Sequence, residues 1–359
     1  MTRRSRIMVA GVVVALLGTA TSAWAQTSGW QARSDAGSDG ALTAVATIPE
    51  GSANAWAFGV RRDGSTYAMR SIGEFADQWA PVDVPDVGRV HALRHVWAAA
   101  EKGSLRWADG KWLRVPVPGR PVLRAIETDP VVENTAWAVG AEQTSTSRQR
   151  GAVRKWDGTH WRVVPVPPAL VDDSSELTGA LVSTDGVFVY GIDHDRHRGG
   201  RVIALRFDGT SWSALPAPPP RPGYEEHVTS HDSSASRLVG WTAPVGASPQ
   251  LRVPLIYHVD STTGLLTKED IPRVAGWLTA VTTEYGTPLV VGSTASQRPL
   301  AMHLRYDGEG RTSWTVDEMP DIRNGQLLAV GGTIVPNIWA VGSTRGHHGE
   351  RPLMLRYSP

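Results

Sequence analysis

The chain has 359 residues, of which 41% are hydrophobic, 20% are charged and none is cysteine. Its formal net charge of +1 at pH 7 gives no electrostatic signal for binding nucleic acid or an anionic membrane surface, so we expect neither as a partner. The absence of cysteine excludes disulfides, thiolate metal sites and cysteine nucleophiles, and the length allows a large core to hold the fold instead.

The first 25 residues predict a secretory signal peptide. Three arginines precede an apolar stretch of about 14 residues, and a small-x-small cleavage site follows at Ala23–Ala25. A stretch of that length is short for a membrane span, which argues against a membrane anchor. The Arg3-Arg4 pair leaves the choice between general and twin-arginine export open. We therefore expect a secreted protein that has no membrane contact after cleavage.

A short apolar segment recurs along the chain and ends in glycine in most copies. Its residues are apolar at successive positions, which is typical of a strand covered on both faces of its sheet. Self-similarity at a period of about 40 to 50 residues predicts a repeat architecture. The seven copies are NAWAFG (54–59), HVWAAA (95–100), NTAWAVG (134–140), GVFVYG (186–191), RLVG (237–240), PLVVG (288–292) and NIWAVG (337–342).

The sequence around each copy predicts three more strands. A segment similar to LTAV precedes most copies, and an aliphatic, a basic and an aromatic residue follow, as at Leu205-Arg206-Phe207. A last strand begins at tryptophan and leaves through prolines, as at 161–167. The Asp157-Gly158 pair and its copies lie between the third and fourth strands, where Asp-Gly predicts a tight turn with positive φ. Proline on the fourth strand indicates an outer edge, where a missing N–H breaks no hydrogen bond.

Repeated four-stranded units predict an all-β fold, a seven-bladed β-propeller that occupies residues 26–359 as a single domain, with six or eight blades as alternatives. The last unit has only three strands. We therefore expect Trp30–Arg33 to close the ring by pairing with Leu353–Tyr357. The predicted blades are Ala41–Pro85, Gly88–Pro118, Arg120–Pro167, Ser175–Pro218, Tyr224–Pro272, Gly276–Pro320 and Gly325–Pro359.

The NTAWAVG segment, the run GAVRKWDGTHWRVVPVPP (151–168) and their copies resemble the repeats of bacterial secreted β-propeller proteins, in a style similar to kelch and tectonin propellers. The resemblance covers nearly all of the chain after the signal peptide. It implies the fold and a role in binding. It implies no particular chemistry, because propellers serve as lectins, scaffolds, hydrolases and oxidases alike.

One group of polar residues is predicted on the face that carries the variable loops between second and third strands. Imidazoles and carboxylates at this density can perform acid–base chemistry, although a solvated loop with satisfied polar groups is the alternative. No known metal-ligand spacing is present, so we expect no metal and no cofactor. The candidate binding residues are Asp193, His194, Asp195, Arg196, His197, Glu225, Glu226, His227 and the predicted loop residue Trp241.

Two functions follow as hypotheses from this reading. The first is a non-enzymatic, monomeric propeller that binds a protein or an extracellular or cell-envelope glycan through its loops; a structural envelope component differs from it only in the partner. The alternative is a carbohydrate-active hydrolase or lyase that uses the His/Asp/Glu group. An enzyme requires these side chains to converge at the channel mouth with perturbed pKa values, whereas a simple binder leaves them splayed into solvent.

Overall fold

The computed structural model describes residues 29–33, 37, 39–47, 55–72, 78–146, 148–195, 199–284, 286–332, 338–347 and 349–358. These residues form 28 strands and one 3-10 turn, Pro249–Leu251. The strands are arranged in seven antiparallel sheets of four, so the predicted seven-bladed propeller is confirmed and six or eight blades are wrong. The predicted signal peptide lies outside the described residues. Within them, no helix is long and apolar enough to span a membrane.

We number the blades 1 to 7 in chain order from Ala41. Blades 1 to 6 place their strands in sequence order, from the channel outward to the edge, whereas the outer strand of blade 7 is the first described strand of the chain. Blade 1 consists of β2 (Ala41–Thr47), β3 (Ala55–Val60), β4 (Thr66–Ile72) and β5 (Gln78–Val82). Blade 2 consists of β6 (Val90–Arg94), β7 (Trp97–Ala100), β8 (Gly103–Ala108) and β9 (Lys111–Val115). Blade 3 consists of β10 (Val122–Thr128), β11 (Ala136–Ser145), β12 (Arg148–Trp156) and β13 (Trp161–Val164).

The same order continues through the rest of the ring. Blade 4 consists of β14 (Ser175–Ser183), β15 (Gly186–Asp195), β16 (Gly199–Phe207) and β17 (Trp212–Ala214). Blade 5 consists of β18 (Tyr224–Asp232), β19 (Arg237–Pro244), β20 (Val253–Val259) and β21 (Leu266–Lys268). Blade 6 consists of β22 (Gly276–Glu284), β23 (Thr287–Thr294), β24 (Pro299–Tyr306) and β25 (Thr312–Val316). Blade 7 consists of β26 (Gly325–Gly331), β27 (Ile338–Gly346), β28 (Gly349–Ser358) and β1 (Gly29–Arg33).

The ring is closed as the sequence predicts. Strand β1 pairs antiparallel with β28, and Trp30 lies opposite Tyr357. The Trp30 indole is 7% exposed, its ring centroid lies 5.1 Å from that of Tyr357, and its Nε1 donates a hydrogen bond of 2.8 Å to Asp317 of blade 6. Strand β1 therefore pairs with β28, the third strand of blade 7, and also contacts the neighbouring blade 6.

The core explains two recurring residues of the repeat. Four tryptophans of the second strands are buried, as expected, and a basic side chain on the third strand lies directly opposite each of these four. These cations stack over the indole faces, which combines burial with a cation–π contact. The pairs and their distances to the ring centroid are Arg70 on Trp56 (5.7 Å), Arg106 on Trp97 (5.4 Å), Lys155 on Trp137 (5.1 Å) and Arg356 on Trp339 (6.0 Å).

The Asp-Gly turns differ from the tight turn that the sequence predicts at most of these positions. Asp109 and Gly110 both have positive φ, 53° and 75°, as a two-residue hairpin turn requires. In the Asp-Gly-Thr turn at 157–159, only Gly158 has positive φ. There, Asp157 Oδ1 accepts hydrogen bonds from the Thr159 N–H at 3.0 Å and the Thr159 hydroxyl at 2.8 Å. The threonine of this motif therefore serves to hold the aspartate.

Candidate functional site

A ring of seven side chains forms the mouth of the channel. The first strand of every blade contains one register shift, and the extra residue at each shift lines a cavity of about 290 Å³. An unpaired residue in a bulge is turned out of the regular alternation, which aims its side chain into the channel. The seven residues are Thr43, His91, Arg124, Thr178, Thr229, Thr279 and Leu328.

Threonine is the common residue at this position, and it has a structural role. The Thr279 hydroxyl lies 3.2 Å from the carbonyl oxygen of Val291 in its own blade and 2.8 Å from that of Leu327 in the next blade. Thr229 makes the equivalent contacts in blade 5, at 3.0 and 2.9 Å. Thr229 and Thr279 thus connect the first strand of one blade to that of the next. His91 and Arg124 replace this link with groups capable of chemistry.

Arg124 is the centre of a charged triplet at the mouth. Its Nε donates to Glu176 Oε1, and its Nη1 lies 3.1 and 3.2 Å from the two ring nitrogens of His91. Burial lowers the pKa of His91 to about 3, and the guanidinium groups of Arg124 and Arg89 contribute to the shift. His91 is therefore neutral at physiological pH and can accept a proton or a hydrogen bond.

A pair of histidines faces the same cavity from blades 4 and 5. The rings of His194 and His227 are 5.1 Å apart between centroids, and both line the mouth. His227 stacks on Trp241 at 3.9 Å, and the Arg252 guanidinium covers the same indole at 4.1 Å. Burial lowers the pKa of His227 to about 4, and His194 and Arg252 lower it further. His227 is a second neutral imidazole at neutral pH.

Packing between blades 4 and 5 holds this histidine in place. A Cβ built on Gly200 would lie 3.0 Å from His227 Nε2, so a larger residue there would require the imidazole to shift by a few tenths of an ångström. Glu225 Oε2 lies 3.9 Å from the same Nε2. The strand alternation that turns Glu225 and His227 to one face turns Glu226 to the other.

The candidate residues from the sequence fall into three groups. His194 and His227 converge on the cavity, and Glu225 lies beside His227. Asp193 and Glu226 are buried and hold ion pairs, Asp193 with Arg201 at 2.7 Å and Glu226 with Lys268 at 2.9 Å. Glu226 also accepts a hydrogen bond from the Tyr257 hydroxyl. Two further candidates, Arg196 and His197, lie outside the described residues, and for Asp195 the structure describes only the backbone, within β15.

Trp241 corrects the prediction that this residue lies in a loop. It lies within β19 and is 8% exposed. The stacking contacts with His227 and Arg252 occupy its ring, so this indole has no free face for a sugar. Its role is to support His227.

Sequence reasoning missed four residues of the mouth, namely Arg89, His91, Arg124 and Glu176. A signal for two of them was present, because VHAL (90–93) and LRAI (123–126) align with LTAV and replace its threonine with histidine and arginine. Glu176 occupies the position directly before the aligned leucine, which His227 occupies in blade 5. A comparison of the repeats position by position would have selected these residues.

The opposite end of the channel is narrower and is crossed by a polar network. A cavity of about 110 Å³ continues from the mouth towards it. Arg94 donates to Glu127 Oε1 at 3.0 Å and to the Ser233 hydroxyl at 2.6 Å, and Ser233 in turn donates to Glu127 at 2.7 Å. Burial raises the pKa of Glu127 to about 7, although Arg94 opposes the shift. Blades 2, 3 and 5 are connected here across the channel.

The His, Asp and Glu side chains of the described residues also bear on metal binding. In the part of the chain that the structure describes, no group of three or more His, Asp or Glu side chains is placed to hold a metal ion. The carboxylates at the mouth are instead engaged by arginine or lie beside histidine.

Comparisons with known proteins concern the fold. No protein-family model matches the sequence, and no curated protein matches it. Among solved structures, the chain is similar to the GH43_1 enzyme from Xanthomonas citri complexed with xylose, with 9% identity and a TM-score of 0.40 over 89% of this chain and 88% of that chain. A second structure of GH43_1 enzyme from Xanthomonas citri gives the same identity and TM-score and covers 89% of each chain.

The geometry of the mouth corrects the expectation of a non-enzymatic binder whose polar side chains are splayed into solvent. His194 and His227 instead converge on the cavity, and the pKa of His227 is shifted. At 9% identity no residue of the GH43_1 enzyme's site carries over to this chain.

Proposed function

We propose that this protein is a carbohydrate-active enzyme that cleaves glycosidic bonds at the mouth of its channel. The observation that carries the proposal is the convergence of three imidazoles and an Arg–Glu pair on one cavity, where His91 and Arg124 occupy the position that is threonine in four other blades. The cavity of about 290 Å³ is within the size range of small-molecule sites and opens beside the interblade loops.

The chemistry of the mouth supports catalysis. His91 and His227 are both neutral at neutral pH, so each can accept a hydrogen bond from a hydroxyl group of a bound sugar. Arg124 supplies a fixed positive charge, and its contacts to Glu176 and His91 hold the guanidinium in one orientation. Preorganised charges of this kind stabilise the charge that develops in a transition state.

The location of the protein belongs to the same proposal. Residues 1–25 have the composition of a signal peptide, and an exported enzyme would meet extracellular or cell-envelope polysaccharides as substrates. We propose that the cleaved protein acts there as a monomer. Its repeats remain similar in style to those of secreted kelch-like propellers.

The test is a screen of the cleaved protein against neutral and acidic polysaccharides, with the release of new chain ends as the readout. We expect activity on at least one polymer and a loss of about 100-fold in kcat/KM for His227→Gln, because glutamine cannot exchange a proton. His160→Gln is the matched control, since His160 is 60% exposed on a turn of blade 3 outside the cavity. Failure to cleave any polymer, or full activity of His227→Gln, would contradict the proposal.

A further inference from the structure

Arg89 is the cation of the mouth that the described residues leave without a partner. It lies directly before β6 and lines the same cavity as His91 and Arg124. The guanidinium groups of Arg124 and Arg201 are paired with Glu176 and Asp193, whereas no described carboxylate lies within ion-pair distance of the Arg89 guanidinium.

The mouth as a whole carries excess positive charge. Two guanidinium groups, those of Arg89 and Arg124, line the cavity together with one carboxylate, that of Glu176, which is already paired with Arg124. A half-buried guanidinium without a counter-ion is suited to a planar anion, which it can bind through two parallel hydrogen bonds. A carboxylate on the substrate satisfies this requirement.

We infer that the substrate is a uronate-containing polysaccharide and that the glycosidic bond is broken by β-elimination, with Arg89 binding the uronate carboxylate. This inference rests on the proposed function. The carboxylate bound by Arg89 makes the adjacent α-carbon more acidic, because its developing negative charge spreads onto oxygens that a cation holds.

The step then needs only the groups that the mouth provides. A neutral imidazole of the His194–His227 pair takes the proton from the α-carbon, and the electrons of that C–H bond form the double bond between the α- and β-carbons. The bond from the β-carbon to the glycosidic oxygen breaks, and this oxygen takes up the proton that the imidazole acquired. No water, metal or oxidant is consumed, and the products are an unsaturated uronate and a new hydroxyl end.

The placement of carboxyl groups is less suited to hydrolysis. Hydrolysis by the usual route needs a protonated carboxylic acid beside the scissile bond and a second carboxylate. Of the carboxyl groups that the structure describes, Glu127 has a pKa raised to about 7, and it is engaged with Arg94 and Ser233 at the opposite end of the channel. At the mouth, Glu176 is bound to Arg124.

The experiment uses the cleaved protein with polygalacturonate, alginate and glucuronan, and with the same polymers after reduction of their carboxyl groups. Ultraviolet absorbance reports the unsaturated product, and mass spectrometry distinguishes elimination from hydrolysis, whose products together are heavier by one water. We expect elimination on at least one polyuronate and none on its reduced form. Arg89→Ala should lower kcat/KM by about 100-fold, and Arg89→Lys should recover part of the loss.

Arg305→Ala serves as the matched control, because Arg305 is exposed on β24 of blade 6 outside the cavity. Each outcome decides a different point. Cleavage of a polymer with addition of water would overturn the inference and leave the proposed function standing. Elimination that is insensitive to Arg89→Ala would overturn the assigned role of Arg89. Absence of cleavage on every polysaccharide would overturn both the inference and the proposed function.

Discussion

The first strands of blades 2 to 5 direct His91, Arg124, Glu176 and His227 into the channel mouth, whereas those of blades 6, 7 and 1 contribute Thr279, Leu328 and Thr43. Both sides have the same backbone, since each first strand contains the same single register shift. The two walls therefore differ in side chains alone. A position whose threonine links neighbouring blades on one side is used for charge and proton transfer on the other.

This division indicates how the fold tolerates a polar site at its centre. Thr229 and Thr279 connect blades through backbone carbonyls, so part of the ring remains fastened independently of the charged residues. The side of the mouth formed by blades 2 to 5, which we call the charged wall, has its own connections between blades. One of them is the Arg124–Glu176 pair, which joins blades 3 and 4. Stability and chemistry can thus be separated by substitution.

The largest effect on activity is expected when Arg124 in the charged wall is replaced by threonine, the residue that four other blades carry at this position. The double variant Arg124→Thr with Glu176→Gln restores the repeat residue without leaving an unpaired carboxylate, which would be strongly destabilising. We expect polysaccharide cleavage to fall by about 100-fold or more, because the fixed positive charge is lost. The melting temperature should be unchanged or higher, because an ion pair that is partly buried adds little net stability. Activity equal to that of the wild type would show that the two walls do not differ in function.

A second prediction concerns the network at the narrow end of the channel, which borders the charged wall. Burial raises the pKa of Glu127 from 4.5 to about 7, so the folded state binds a proton that the unfolded state releases in this pH range. The stability that this proton contributes is complete below pH 4.5 and is lost as the pH rises through 7. Glu127→Gln removes the titration and keeps an amide oxygen in place to accept the hydrogen bonds from Arg94 and Ser233.

We therefore expect the free energy of unfolding of Glu127→Gln, relative to the wild type, to increase between pH 5 and pH 7.5 by about 2 kcal/mol. Chemical denaturation at a series of pH values measures it. Glu309→Gln is the control, because Glu309 is 73% exposed on a turn of blade 6. A difference that stays flat over this range would show that Glu127 is ionised in the folded protein throughout.

The smallest effect on activity is expected for a substitution in blades 6, 7 and 1, which form the threonine wall of the mouth. Thr279→Val keeps the shape of the side chain and removes the hydroxyl that contacts the carbonyl oxygens of Val291 and Leu327. Loss of this hydrogen bonding should lower the free energy of unfolding by about 1 kcal/mol and leave kcat/KM within about twofold of the wild type. Denaturant unfolding and a cleavage assay on the same preparation test both parts. A large loss of activity would assign the threonine wall to the site.

The architecture could be predicted from the sequence because the same pattern of strands recurs along the chain. The buried second strand, the Trp-to-Pro fourth strand and the missing strand of the last blade were sufficient to predict the ring and its closure by Trp30–Arg33. Each copy supports the others, so a weak copy such as RLVG (237–240) could still be assigned to a strand, and β19 contains it.

The site was harder to predict because a single extra residue inverts the alternation of a strand. The register shift after Val228 places Thr229 in the channel mouth, and no local pattern in the sequence marks such a shift. Attention to variable loops selected His194 and His227 correctly as neighbours but also Asp193 and Glu226, which point away into ion pairs. Arg89, His91 and Arg124 lie on or beside first strands, which sequence reasoning treated as framework.

The pairing of β1 with β28 has a consequence for biosynthesis. The strand that completes the last blade is synthesised before any of the blades, and its partner β28, with Tyr357 opposite Trp30, is synthesised after all the other described strands. Until β28 has been synthesised, the growing arc has one uncovered apolar face at each end, and β1 has no sheet to join. The ring can therefore close only once β28 is available, and deletion of Gly349–Ser358 would leave both ends of the arc open.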